Sequence, residues 1–99
     1  MAENGERVVA RFVAKPSSVE DVKRILTDMI DPTRAEDGCI TYELLQNSAD
    51  PTDFTFVEEW DSKADLDRHA VSEHIKMGRE LVKEHLARDS DVRVYTLIR

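Results

Sequence analysis

Apolar residues in this chain recur first at every second position, then at helical spacing, then in two more alternating runs, then at helical spacing, and finally at every second position again. A period of two marks a strand and a period near 3.6 marks a helix. The order is therefore β-α-β-β-α-β, the split βαβ of the ferredoxin-like fold. That fold is an α+β sheet-and-helix domain: one four-stranded antiparallel sheet with helices on one face. The 99 residues make a single domain, 1–99, without repeats or low-complexity stretches. Residues 1–6 are polar, contain Gly5, and are expected to fray.

The segments follow from local signals. Arg7 to Lys15 reads as a strand with Val8, Ala10, Phe12 and Ala14 on one face and Val9, Arg11 and Val13 on the other. Pro16 breaks it. Ser17 and Glu20 have capping-box spacing ahead of a helix carrying Val19, Val22, Ile25, Leu26, Met29 and Ile30, which Pro32 is expected to end. Gly38 turns the chain into a strand from Cys39 to Gln46, with Ile40, Tyr42 and Leu44 on one face. Asn47 to Asp53 is a turn. Phe54 to Trp60 is a third strand, with Phe54, Phe56, Glu58 and Trp60 together. Ser62 caps a short helix from Lys63. A longer helix follows, roughly Ser72 to Ala87, with Ile75, Gly78, Leu81, Val82, His85 and Leu86 in one stripe. Asp91 to Arg99 is the last strand.

Two helices cover one side of such a sheet. Yet Val9, Val13, Leu45, Val57 and Leu97 alternate with Val8, Phe12, Leu44, Phe56 and Ile98, so both sides carry large apolar groups. An apolar face of several hundred Å² exceeds what monomers usually expose. The expectation is a homodimer, sheet against sheet, about a two-fold axis.

Charge excludes other partners. Acids outnumber bases 21 to 14, for a net charge of −7. That balance opposes nucleic acid and anionic membrane surfaces alike. No apolar run is long enough to span a bilayer, and the start lacks a basic segment followed by an apolar one. Cys39 is the single cysteine and cannot form an internal disulfide. A cytoplasmic protein is expected.

No metal-ligand spacing, glycine-rich phosphate loop or nucleophile elbow is present, so no metal or cofactor is expected. The remaining chemistry lies around the third strand. Glu58, between Phe56 and Trp60, reads as a desolvated base, or as the ion-pair partner of Arg11 or Arg93. His69 lies on the inner face of its helix, either to move a proton or as a core histidine bonded to a carbonyl. His74 lines a pocket mouth or caps a helix end. Tyr42 donates its hydroxyl to a substrate or packs in the core. His85 suits the end of its helix, and Met29 and Met77 read as packing residues.

At three places the chain resembles the antibiotic biosynthesis monooxygenase family, especially its quinol-monooxygenase-like members: VVARFVAKPSS, RAEDGCITYEL and FVEEWDSKADLDRHAVSEHIK. The second is similar to the family's acid–Pro–Gly–Cys–x–x–Tyr turn, with Asp37 where proline is usual. The third is similar to its E-x-W followed by H-x-x-x-x-H. The resemblance spans about Arg7 to Arg99. It implies a dimeric α+β barrel that oxidises a small quinol, phenol or polycyclic aromatic with molecular oxygen, without cofactor. Glu58, Trp60, His69, His74 and Tyr42 stand at the matching positions. The implied roles are His69 as proton shuttle, tuned by Glu58 and Tyr42, with Trp60, Phe56 and Phe12 against the substrate and His74 at the mouth. Haem-degrading relatives carry an Asn, a Trp and a His where this chain has Val9, His69 and Arg79, which disfavours that activity. A non-catalytic small-molecule binder, or an isomerase of a phosphorylated carbonyl compound with Arg68 or Lys76 near the phosphate, are the alternatives.

Overall fold

The architecture was obtained as a computed structural model that describes residues 5–99. The strands are β1 (Glu6–Val13), β2 (Cys39–Gln46), β3 (Asp53–Trp60) and β4 (Asp91–Tyr95). They form one antiparallel sheet in the order β2-β3-β1-β4, the ferredoxin-like topology. The helices are α1 (Val19–Asp28), α2 (Ile30–Arg34), α3 (Lys63–Ala70) and α4 (Glu73–Lys83). Among the described residues no helix is long and apolar enough to cross a membrane. Of the stretch expected to fray, residues 1–4 lie outside the described residues, while Glu6 opens β1 opposite Trp60.

The core sits between the helices and one sheet face. Register places Val8 opposite Glu58, Ala10 opposite Phe56 and Phe12 opposite Phe54, so all six point the same way. Val22, Ile25 and Leu26 of α1 and Ile75 and Val82 of α4 close over them. Trp60, Phe54 and Phe56 are the largest fully buried side chains. Each aromatic contributes roughly 2–3 kcal/mol of burial, so the middle strand β3 supplies much of the core. The chain after α4 ties back to β1: Leu86 bridges Ala14, and the Ala87 amide donates to Val13 at 2.8 Å. That pairing stops α4 at Lys83, short of the expected Ala87.

Other expectations need correction. Pro32 does not end the first helix; the break falls at Met29, and Pro32 lies in the first turn of α2. Proline is tolerated there because a first-turn amide has no intrahelical partner to lose. The capping box does not form: Pro16–Ser18 is a 3-10 turn, and the Ser18 hydroxyl meets His85 Nδ1 at 3.2 Å. A bulge between Cys39 and Thr41 shifts the register of β2, so Cys39 packs on the core and Ile40 is exposed. Leu81 is exposed on α4. Leu97 and Ile98 lie beyond β4 and join neither sheet face. Val9 and Val57 pair across the outer face, with Val13 and Leu45 on it as expected.

Gly38 has φ +81°, in the left-handed region, and a Cβ there would overlap the Asp65 side chain. Asp65 belongs to the cap of α3, where its amide donates to Ser62 Oγ at 3.1 Å. Gly38→Ala is expected to cost about 2–4 kcal/mol, combining the left-handed backbone penalty with overpacking. Urea denaturation measures this, and a loss below about 1 kcal/mol would contradict it.

Candidate active site

Alternation in β3 carries Glu58 inward between Phe56 and Trp60, and it is only 7 % exposed. The indole Nε1–H of Trp60 donates to Glu58 Oε1 at 2.9 Å. Arg11 and Arg93 are not its partners; they pair with Asp53 and Asp91. Burial pushes the Glu58 pKa up, against the lowering influence of the Trp60 donor, His69 and Arg79. Tyr42, opposite Glu58 in the β2–β3 pairing, stacks on Phe56 at 4.6 Å. Its hydroxyl pKa is raised as well, first by burial and then by the Glu58 charge. It therefore acts as a neutral hydrogen-bonding group.

His69 projects from α3 into the same region and is 5 % exposed. Its ring lies 4.5 Å from that of Trp60 and edge-on to Tyr42 at 5.6 Å. Its Nδ1 is 2.7 Å from Glu36 Oε2, so its partner is a carboxylate rather than a backbone carbonyl. His74 Nε2 meets the same oxygen at 2.9 Å. An ionised carboxylate only accepts, so each imidazole presents a proton to Glu36. With Nδ1 protonated, neutral His69 carries its lone pair on Nε2. That atom faces Glu58 Oε1 at 3.9 Å, too far for a hydrogen bond. The arrangement is a carboxylate orienting an imidazole whose other nitrogen is free to take a proton.

Beside this row lies a cavity of about 200 Å³ between the sheet and helices α3 and α4. Phe12, Tyr42, Phe56, Glu58 and His69 line it, as do Val92 and Val94 of β4 and Arg79 of α4. The structure thus brings together five of the seven residues singled out in the sequence. Trp60 is fully buried behind Glu58 and His69 and does not line the cavity. His74 lies outside it as well, with Met77 and Leu81 in a groove between α1 and α4.

Glu36 and Arg79 were given no role in the sequence reading. Glu36 is the acid of the RAEDGC turn, a legible signal without an assigned partner. Arg79 follows Ile75 by one helical turn, which places it on the cavity side of α4. Glu36, His69 and His74 also offer three ligand atoms within 4.8 Å of one another, the composition of a divalent-metal site. Hydrogen bonding alone accounts for the cluster, because both imidazoles use the one oxygen. Cys39 is half-buried and its thiol pKa is raised by burial and by Glu36 and Glu58, so it is a poor nucleophile.

The raised Glu58 pKa fixes a stability trend. The unfolded chain releases this proton near the ordinary value of 4.5 while the native state still holds it. Stability is therefore lost as pH rises from that value through the native pKa. Glu58→Gln keeps an acceptor for Trp60 and removes the titration. Its advantage in thermal midpoint over the parent protein is expected to grow from pH 4.5 toward neutrality. A constant difference across that range would contradict the assignment.

Comparison with known proteins places this geometry. The family model for antibiotic biosynthesis monooxygenase matches residues 7–81. Rv0793 of Mycobacterium tuberculosis, which carries a provisional monooxygenase name, is 40% identical over 87 residues, spanning 88% of this chain and 85% of its own. Its solved structure superposes with a TM-score of 0.91 over 97% of both chains, at 33% identity. A conserved protein from Methanosarcina mazei has a TM-score of 0.89 at 32% identity, covering 94% of this chain and 92% of its own. PA3566 from Pseudomonas aeruginosa has a TM-score of 0.90 at 27% identity, over 97% and 96%. With most of its length inside the family model and this relative at 40% identity, the chain belongs to the antibiotic biosynthesis monooxygenase family.

Proposed function

We propose that the protein is a cofactor-independent monooxygenase that oxidises a small quinol or phenol with molecular oxygen, acting as a cytoplasmic homodimer. The observation that carries this reading is the row Glu36–His69–Glu58, half-buried at Glu36 and buried at His69 and Glu58, beside a mostly apolar cavity. A ring held against Phe56 and Phe12 presents its hydroxyl to His69 Nε2. Glu36 holds the opposite Nδ1–H and stabilises the imidazolium formed when His69 takes the phenolic proton. Glu58 and Tyr42 tune that imidazole, Glu58 Oε1 facing Nε2 across 3.9 Å and the Tyr42 ring standing edge-on to it. Trp60 holds the Glu58 carboxylate from behind, and His74 shares Glu36 with His69.

The electron-rich anion then reduces oxygen. One quinol and one O₂ give one hydroxyquinone and one water. The quinol supplies all four electrons, one oxygen atom enters the ring, and the other leaves as water with a proton returned from His69. No external reductant is needed, and the apolar walls keep competing water from the reacting anion. The homodimer is supported by Val9, Val57 and Leu45 on the outer sheet face and by a β4 that is exposed along its whole length. For the isomerase alternative, Arg68 is tied to Asp65 at 2.9 Å rather than left for a phosphate.

Oxygen uptake by chelator-treated protein on a panel of naphthoquinols and catechols, corrected for autoxidation, tests the chemistry. Saturable uptake is expected. His69→Ala is expected to lower kcat by about 10²–10⁴-fold, the usual size of a general-base contribution. Uptake equal to the buffer blank across the panel would overturn the oxygenase reading. Light scattering at micromolar concentration is expected to give twice the chain mass, and a monomer would remove the dimer.

A further inference from the structure

We propose that the cavity takes an aromatic hydroxy acid of one or two rings, with its hydroxyl toward His69 and Glu58 and its carboxylate on Arg79. The inference rests on the cavity being the substrate site, and it names the class of molecule that fits.

The cavity's ionisable lining is divided by partner. Glu58 accepts from Trp60, and Asp67 holds Lys63 Nζ at 2.9 Å. Among the described residues Arg79 is the one Lys or Arg side chain lining the cavity. The guanidiniums of Arg7, Arg11, Arg24, Arg68 and Arg93 each pair with a carboxylate. Among the described residues Arg79, like Arg34, Arg88 and Arg99, pairs with no carboxylate, in a chain where acids outnumber bases 21 to 14, and of these only Arg79 lines the cavity. It is therefore a guanidinium without a carboxylate partner at the edge of a mostly apolar chamber. Such a group matches a planar carboxylate through two parallel hydrogen bonds.

Orientation follows from charge. The deep end holds Glu58, with Glu36 behind His69, so an anionic substituent is repelled from it. A neutral hydroxyl fits that end as a hydrogen-bond donor. The anionic substituent belongs at Arg79, which is exposed on α4. The rings lie between, against Phe12, Phe56 and Val92. Size narrows the class further. A chamber of about 200 Å³ is below the roughly 300–1,000 Å³ of drug-sized ligand sites. That leaves room for one or two rings.

The test is calorimetric titration of the full-length protein in anaerobic buffer, where turnover cannot contribute. The probes are 6-hydroxy-2-naphthoate, its methyl ester and 2-naphthol. At low salt the acid is expected to bind about fivefold more tightly than the ester, the ceiling for a solvent-exposed ion pair. That preference is expected to shrink at about 0.5 M salt, where screening is strong. Arg79→Met is expected to abolish the preference for acid over ester, and Arg79→Lys to keep part of it. Lys23→Met, which removes the same charge from the exposed face of α1, is expected to keep it whole. If ester and naphthol bind but the acid gains nothing, or if Arg79→Met retains the preference, the inference fails while the oxygenase reading stands. If none of the three binds, both fall.

Discussion

A carboxylate enclosed by aromatic rings, with one indole donor as its hydrogen bond, is the constraint around which the rest of this molecule is arranged. Placing Glu58 there costs free energy, since burying a charge is unfavourable unless it is compensated. The compensation is local. Trp60 lies two residues along the same strand, so the alternation that buries one buries the other. His69 adds an imidazole facing the same oxygen, and Arg79 adds a distant positive field. Each group comes from a different part of the chain, so the site exists only once sheet and helices have docked.

The second organising contact is the Glu36 carboxylate, shared by two histidines. It fixes which nitrogen of His69 carries the proton and holds the junction between α3 and α4. Ser72, at that junction, adds a bond from its hydroxyl to the His69 carbonyl at 2.7 Å. Gly38 packs the turn bearing Glu36 against the first turn of α3, and its carbonyl accepts from the Asp61 amide at 2.8 Å. The imidazole is thus positioned through backbone and side chain together, which is how a reactive group is kept within narrow geometric limits.

Much of this was legible in the sequence because it depends on period. The inward set of β3, the inner face of β1 and the cap at Ser62 follow from alternation and from a hydroxyl ahead of an acidic first turn. Features that depend on one inserted residue or on a long-range partner were not legible. The bulge at Ile40 changes a face without leaving a compositional mark. Pro32 reads as a stop, yet its harm depends on its position in the turn, which tertiary packing sets. The Glu36–His69 contact joins residues 33 apart in sequence, and no local pattern encodes that distance. The family motif that Trp60 and His74 match implies contact with the substrate, whereas the cavity is bounded by residues that only the fold brings together, and neither of the two lines it.

Under the proposed function, the uneven burial of the cavity wall separates chemistry from selectivity. Glu58, His69 and Tyr42 are embedded in the core, so changes to them carry a folding cost. Val92 and Val94 stand 44 % and 55 % exposed in the single chain, so their replacement costs its fold little. Mutation can therefore reshape the chamber along β4 while the Glu36–His69–Glu58 row stays intact. A lineage built on this scaffold can change which molecule it accepts far more readily than what it does to that molecule.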